Sequence, residues 1–181
     1  MKVTETSLPG VLLLEPQVFE DDRGFFFESY NERIFKRATG IEARFVQDNH
    51  SRSAKNVLRG LHYQLHQPQG KLVRVVTGEI FDVAVDLRRS SACFGRWAGM
   101  RLSAQSRLMI WIPPGFAHGF LALAEGAEVL YKSTDYYAPE HERTLLWNDP
   151  DLAIDWPLSG PPLLSEKDLG GTSLKSAKVY D

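Results

Sequence analysis

Many short strand-like runs, Gly and Pro turn signals between them, and very little helical patterning predict an all-β sandwich or barrel. The chain has 181 residues and is 43% hydrophobic, which suits one domain with a full core and would leave two domains cramped.

The elements follow in order. Residues 11–14 form the first aliphatic run. Asp21-Asp22-Arg23-Gly24 reads as a turn leading into Phe25-Phe26-Phe27-Glu28-Ser29-Tyr30. Residues 31–39 are the one clear helix: Asn31 caps it, Glu32 favours its start and Gly40 stops it. Strands follow at 45–49, 57–63 and 71–76. The clearest is 80–87, where Phe81, Val83, Val85 and Leu87 share one face and Asp82 and Asp86 the other. Thr77-Gly78-Glu79 is expected to join it to 71–76 as a hairpin. Strands at 108–112, 116–123 and 127–134 continue the series, with turns at Pro113-Pro114-Gly115 and Glu125-Gly126. From Trp147 onward the chain is rich in Pro, Asp and Gly, and reads as loops with a short helix near 165–169. A cupin-like double-stranded β-helix, or jelly roll, fits this length. Its core is expected at about 10–135, within a single domain spanning 1–181.

Composition narrows the function. A net charge of −2 with interspersed signs leaves no basic footprint for nucleic acid. One cysteine, Cys93, excludes an internal disulfide framework and fits a reducing compartment. Residues 1–15 lack the basic and apolar stretches of a signal peptide, and no run approaches the roughly 18 apolar residues that span a bilayer. The expectation is a cytoplasmic protein with no membrane partner. Glycine-rich dinucleotide and Walker phosphate loops are absent.

Several residues could carry chemistry. His118 follows the Pro114-Gly115 turn, as a metal-binding histidine does in metal cupins. His62 and His66 would share a strand face, so a His62/His66/His118 metal site is conceivable. No carboxylate follows at the matching spacing, because Gln67 and Gln69 occupy it, so the expectation is no metal. His62 and Lys71 lie on consecutive strands and can both reach one interior. Histidine titrates near neutrality and suits a general base, and lysine suits a developing enolate. Either could equally be a surface or satisfied core residue. Tyr131 shares a face with Val129 and Ser133, and is a core position or a site residue. Asp168 completes a Ser165-x-x-Asp168 pattern, whose plain reading is helix capping. Arg23, Gln47, Asn49, Arg59 and Lys167 could hold a phosphorylated ligand or a base edge.

The segments Asp22-Arg23-Gly24-Phe25-Phe26-Phe27-Glu28-Ser29-Tyr30-Asn31, Phe45-Val46-Gln47-Asp48-Asn49-His50-Ser51 and Val57-Leu58-Arg59-Gly60-Leu61-His62-Tyr63-Gln64 are similar to motifs of the dTDP-4-dehydrorhamnose 3,5-epimerases. So are Gln69-Gly70-Lys71-Leu72-Val73-Arg74, the stretch from Trp111 to Phe120, Tyr131-Lys132 with Tyr136-Tyr137, and Leu163-Leu164-Ser165-Glu166-Lys167-Asp168. The resemblance is collinear from about Pro9 to Asp168. It implies a cupin-like homodimer that uses no metal or other cofactor and acts on a dTDP-4-dehydro-6-deoxy-hexose. By position, His62 resembles the general base, Asp168 its orienting carboxylate, Tyr131 the proton donor on the opposite sugar face, and Lys71 the enolate stabiliser. His118 resembles a pocket residue near the sugar. Arg23, Glu28, Gln47, Asn49, Arg59, Glu142 and Lys167 resemble nucleotide and diphosphate contacts, with Asp48 in the same binding motif, and Tyr137 resembles the aromatic that stacks on thymine. Arg23 and Glu28 are the candidates to cross a dimer interface.

Strict alternation puts Arg59 and His62 on opposite faces, whereas the resemblance wants both near the ligand. Gly60 is expected to mark a bulge or strand end that re-aims one of them. Rival readings are an epimerase that inverts one centre, a sugar-nucleotide 3,4-ketoisomerase, a metal-dependent cupin enzyme and a non-catalytic sugar-nucleotide binding module.

Overall fold

A computed structural model describes residues 1–181. The alternating runs become strands β1 (Lys2–Glu5), β2 (Leu12–Glu15), β3 (Phe19–Asp21) and β4 (Gly24–Phe26), then helix α1 (Glu32–Thr39). Strands β5 (Gln47–Ser53), β6 (Leu58–Gln64), β7 (Lys71–Thr77), β8 (Glu79–Asp86) and β9 (Trp97–Ser103) follow. The chain continues through β10 (Met109–Ile112), β11 (Phe116–Ala122), β12 (Ala127–Ser133) and β13 (Glu142–Thr144) to helix α2 (Glu166–Leu169). No helix is long and apolar enough to cross a membrane.

The strands assemble into two facing antiparallel sheets, one ordered β1-β2-β10-β7-β12-β5 and the other β13-β6-β11-β8-β9. This is the expected cupin-like jelly roll. Side chains alternate across each strand, so each sheet buries one face in the barrel and presents the other outward. Val73, Ile80, Ile110, Phe120 and Val129 fill the interior. Outside the first sheet, α1 lays Phe35 on Leu14, Leu72 and Met109, and Tyr30, Phe45 and Trp111 close around that ring. Outside the second sheet, Leu145, Leu152, Trp156 and Ala177 of the irregular C-terminal segment cover Leu61, Val85 and Leu121. A fully buried large apolar side chain contributes about 1.5–3 kcal/mol, so these anchors hold a segment with little regular structure of its own.

The helix ends lie where expected: Asn31 accepts from the Ile34 amide, and Gly40 is left-handed at φ +73°. The hairpin expected at Gly78 is not formed. Strand β7 pairs with β10 and β12, whereas β8 pairs with β9 and β11, so the turn carries the chain from one sheet to the other. The reason is burial on both sides of β8: one face packs under the C-terminal segment while Asp82 and Asp86 turn, fully buried, into the barrel. Four strands escaped the sequence reading. Two of them, β1 and β13, lie outside residues 10–135, and β9 is a seven-residue strand with Ala98 and Leu102 alternating into the core. The run from Phe25 to Tyr30 forms only a short hairpin, β3 with β4, which leaves Phe19, Phe25 and Phe26 exposed.

Candidate active site

The site begins at an irregularity in β6. His62 pairs with His118 of β11, but Arg59 pairs with Phe120, so three steps on β6 match two on β11. The extra residue is a β-bulge that restores parity, and Arg59 and His62 both line one cavity while Leu58 and Leu61 pack outward. Glycine is required here. Gly60 sits at φ +116°, and a Cβ on it would lie 2.6 Å from the Gly119 Cα.

The C-terminal segment delivers the partner of His62. Leu163 bonds to Asn56 and Leu58 through the backbone, which lays α2 beside β6. Ser165 caps α2 by accepting from the Asp168 amide, and its hydroxyl donates to Asp168 Oδ2 at 2.6 Å. The other oxygen, Oδ1, accepts from His62 Nε2 at 2.6 Å and from the Gly60 amide at 3.3 Å. One side chain therefore takes part in the helix cap and also holds the His62 ring. Burial pushes the Asp168 carboxyl up, but the hydrogen bonds from His62 and Ser165 outweigh it and hold the group below its ordinary value. Burial pulls the His62 imidazole down, opposed by Asp168 and reinforced by the Lys167 and Lys71 charges. A neutral imidazole, with one nitrogen on Asp168 and the other free, is the form that accepts a proton.

Tyr131 of β12 and Lys71 of β7 come from the facing sheet, and the Lys71 nitrogen lies 6.0 Å from the Tyr131 ring centre. Burial brings Lys71 down to about 8, with the Asp82 and Glu142 charges opposing. Burial and then Glu142 push the Tyr131 phenol up, so it keeps its proton at neutral pH. His118 is buried beside His62, and its Nε2 donates to Asp82 Oδ2 at 2.8 Å.

The cavity holding these groups has a volume of about 640 Å³. At its open end Gln47 bonds to Asn49 and to the Tyr137 amide, and Glu142 accepts from the Tyr137 hydroxyl and from Lys167, each at 2.9 Å. Tyr137 is about half exposed, free to receive a flat ring. Arg59 reaches Ser53 and the Arg52 carbonyl on the same wall.

Three expected residues lie elsewhere. Asp48 alternates to the opposite face of β5 from Gln47 and Asn49 and pairs with Lys132 at 2.9 Å, so it does not line the cavity. Arg23 stands on the exposed β3–β4 turn bonded to Asp21, and Glu28 accepts from Asn31, both outside this protomer's cavity. The His62/His66/His118 grouping does not form. Strand β6 ends at Gln64, and the exposed His66 ring instead meets His141 edge-on at 4.8 Å. No three His, Cys, Asp or Glu side chains are grouped to hold a metal ion.

The family model described as dTDP-4-dehydrorhamnose 3,5-epimerase matches residues 5–176. The chain belongs to that family. It is 63% identical over 180 residues to the dTDP-4-dehydrorhamnose 3,5-epimerase of Pseudomonas aeruginosa, covering 99% of both chains. It is 56% identical to that of Salmonella typhimurium, covering 100% of both. A crystal structure of the dTDP-6-deoxy-D-glucose-3,5-epimerase of Legionella pneumophila, in complex with dTDP-4-keto-L-rhamnose, superposes with a TM-score of 0.96 at 49% identity, covering 98% of this chain and 94% of that one. A 3'-monoepimerase from Streptomyces bikiniensis, in complex with dTDP-quinovose, gives a TM-score of 0.89 at 33% identity, covering 94% and 87%.

Within this epimerase frame, three site residues were missed from the sequence. Gln64 accepts from the Ala138 amide and donates to the Tyr136 carbonyl, holding the loop that presents Tyr137. Ser165 orients Asp168, a role its capping pattern already hinted at. Asp82 supports His118, and its signal was a carboxylate alternating with the hydrophobic face of an otherwise apolar strand.

Proposed function

We propose that this protein converts dTDP-4-dehydro-6-deoxy-D-glucose to dTDP-4-dehydro-L-rhamnose in dTDP-L-rhamnose biosynthesis, inverting C3 and C5 of the hexose. The observation that carries this reading is the placement of a base dyad and a proton-donating phenol on facing sheets of one cavity. His62 with Asp168 lies on one wall and Tyr131 on the other. A sugar ring between them meets a base on one face and an acid on the opposite face, which is what inversion at carbon requires. The much higher identity to relatives named 3,5-epimerase than to the 3'-monoepimerase favours two inversions.

The C4 ketone acidifies the hydrogens on both flanking carbons. His62 takes one of them, and the electron pair of that C–H bond moves into an enolate with its charge on the C4 oxygen. Lys71 stabilises that oxygen as charge develops. Asp168 holds the His62 ring and stabilises the imidazolium. Tyr131 returns a proton to carbon from the opposite face, the enolate collapses to the ketone, and the centre is inverted. His62 then releases its proton to solvent and Tyr131 regains one from it, and the same steps at the second carbon complete the reaction. Carbon is neither oxidised nor reduced overall, so the chemistry calls for no redox cofactor.

Tyr137 stacks on thymine in this reading, while Arg59 and Lys167 hold the diphosphate and Gln47 and Asn49 face the base. A homodimer brings Arg23 and Glu28 of one protomer to the site of its partner. The exposed Phe19, Phe25 and Phe26 beside them supply the apolar surface for that contact, and the enzyme works in the cytoplasm.

The test is NMR of dTDP-4-dehydro-6-deoxy-D-glucose with the protein in deuterated water and no added metal. Deuterium at both C3 and C5, with formation of the L-rhamno product, is the expected result. Exchange at one carbon makes the protein a monoepimerase, and exchange at neither refutes the reading.

A further inference from the structure

Asp82 lies mid-strand in β8 on the face turned into the barrel, and it is fully buried. A buried carboxylate is costly unless its oxygens are occupied. Oδ2 accepts from His118 Nε2 at 2.8 Å, but Oδ1 is buried with no partner in the protein. Lys71, on the facing sheet, is in the complementary position: no hydrogen-bonded carboxylate supports its ammonium, and Asp82 is the strongest charge that favours it. The charged and titratable groups around Lys71 are Asp82 from β8, Glu142 from β13, Lys167 from α2, His62 from β6 and Tyr131 from β12. Glu142 is already bonded to Lys167 and Tyr137. Of the two carboxylates, only Asp82 keeps an uncommitted oxygen.

We propose that Asp82 is a positioning residue: Oδ2 fixes the His118 ring, and Oδ1 is the counter-charge that keeps Lys71 an ammonium aimed at the C4 oxygen. The inference rests on the role given above to Lys71. Before reaction the Lys71 charge is balanced by Asp82. As the enolate forms, the ammonium leans toward the new anion, while the Asp82–His118 pair stays fixed beneath it. The device keeps a desolvated lysine protonated in an apolar barrel without a direct ion pair that would draw it away from substrate.

A double-mutant cycle on the full-length protein tests this, after the wild type has been shown to exchange deuterium into C3 and C5. A wild type without exchange refutes the epimerase reading itself and is thereby distinguished from failure of the role given to Asp82. Asp82→Asn keeps the volume and an acceptor for His118 but removes the charge. It is expected to lower kcat by about 10- to 100-fold, as loss of a group that orients another one does. Affinity for dTDP stays at the wild-type value. The alkaline limb of kcat/KM moves to lower pH, because Lys71 loses a charge that favours its protonated form. In a Lys71→Met background the same substitution costs less than about threefold, since its target is gone. Fully additive losses, or an alkaline limb that stays in place, overturn the proposal. Should thermal unfolding show that Asp82→Asn does not fold, Asp82→Ser, smaller and neutral, enters the same cycle under the same criteria.

Discussion

Replacing Asp168 by Asn removes one charge and almost no volume from the base dyad. In the wild type, Asp168 Oδ1 accepts from His62 and Gly60, and Oδ2 accepts from Ser165. The amide keeps one acceptor for this set and turns an NH₂ toward the other side, so at least one charge-assisted hydrogen bond is lost. A bond to a charged group contributes about 1.5–3 kcal/mol, and the unfolding free energy should fall by that order. Catalysis should fall further, because the imidazolium formed when His62 takes the proton loses its counter-charge. The same exchange in another histidine-based site lowers kcat by about 10⁴-fold, or roughly 5.5 kcal/mol of barrier. The pH profile should change in a defined direction. In the proposed mechanism neutral His62 is the base; burial lowers its pKa and Asp168 opposes that, so removing the carboxylate shifts the acid limb of kcat/KM to lower pH. Deuterium incorporation at C3 and C5, followed by NMR across pH beside urea unfolding, measures all three effects. Exchange within about tenfold of wild type at both carbons, or an acid limb that moves upward, would refute the assignment.

Lys71→Met should disable the enzyme and remove an alkaline rise in its stability. Burial lowers Lys71 from 10.5 to about 8, so the penalty of burying its charge is full below pH 8, shrinks as the folded protein sheds the proton, and is gone above 10.5. Urea unfolding should show wild-type stability rising by about 1–3 kcal/mol through that window, and the variant lacking that rise. Gly60→Ala should cost about 3 kcal/mol or more, because its Cβ would meet the Gly119 Cα at 2.6 Å and the His118 carbonyl oxygen at 2.7 Å at a positive φ. An unchanged urea midpoint would show that the bulge does not pack this tightly. Tyr131→Phe should impair inversion more than proton removal, so substrate recovered from deuterated water becomes labelled faster than product forms. Equal losses would make Tyr131 a wall of the pocket only.

Helix α1 could be read from its own residues because both of its caps are local: Asn31 and Gly40 act within one turn. The strands with strong alternation were readable for the same reason, since burial of one face imposes period two wherever it occurs. Strand β13 was not readable. It has three residues, Glu-Arg-Thr, with no apolar period, and it is a strand only because β6 offers it an edge. Partner choice also lay beyond local pattern: β7 and β8 follow one another through Gly78, yet each pairs within a different sheet.

The site divides along the same line. Residue type marked His62, Lys71, Tyr131 and Asp168 as candidates, with core, surface or capping readings beside each, and the resemblance of the surrounding motifs supplied their expected roles. Three matters rested on distances of many residues and on packing. The bulge at Gly60 let Arg59 and His62 face one cavity, against the alternation that separates them. The C-terminal segment carried Asp168 across 106 positions to His62. Asp82 looked like the polar side of an amphipathic strand, and only the second sheet closing over it made it a buried carboxylate under His118. Composition and local period set which groups a chain can use and which segments become strands. Which of those groups meet is settled by register and sheet closure, because both depend on residues far apart in the chain.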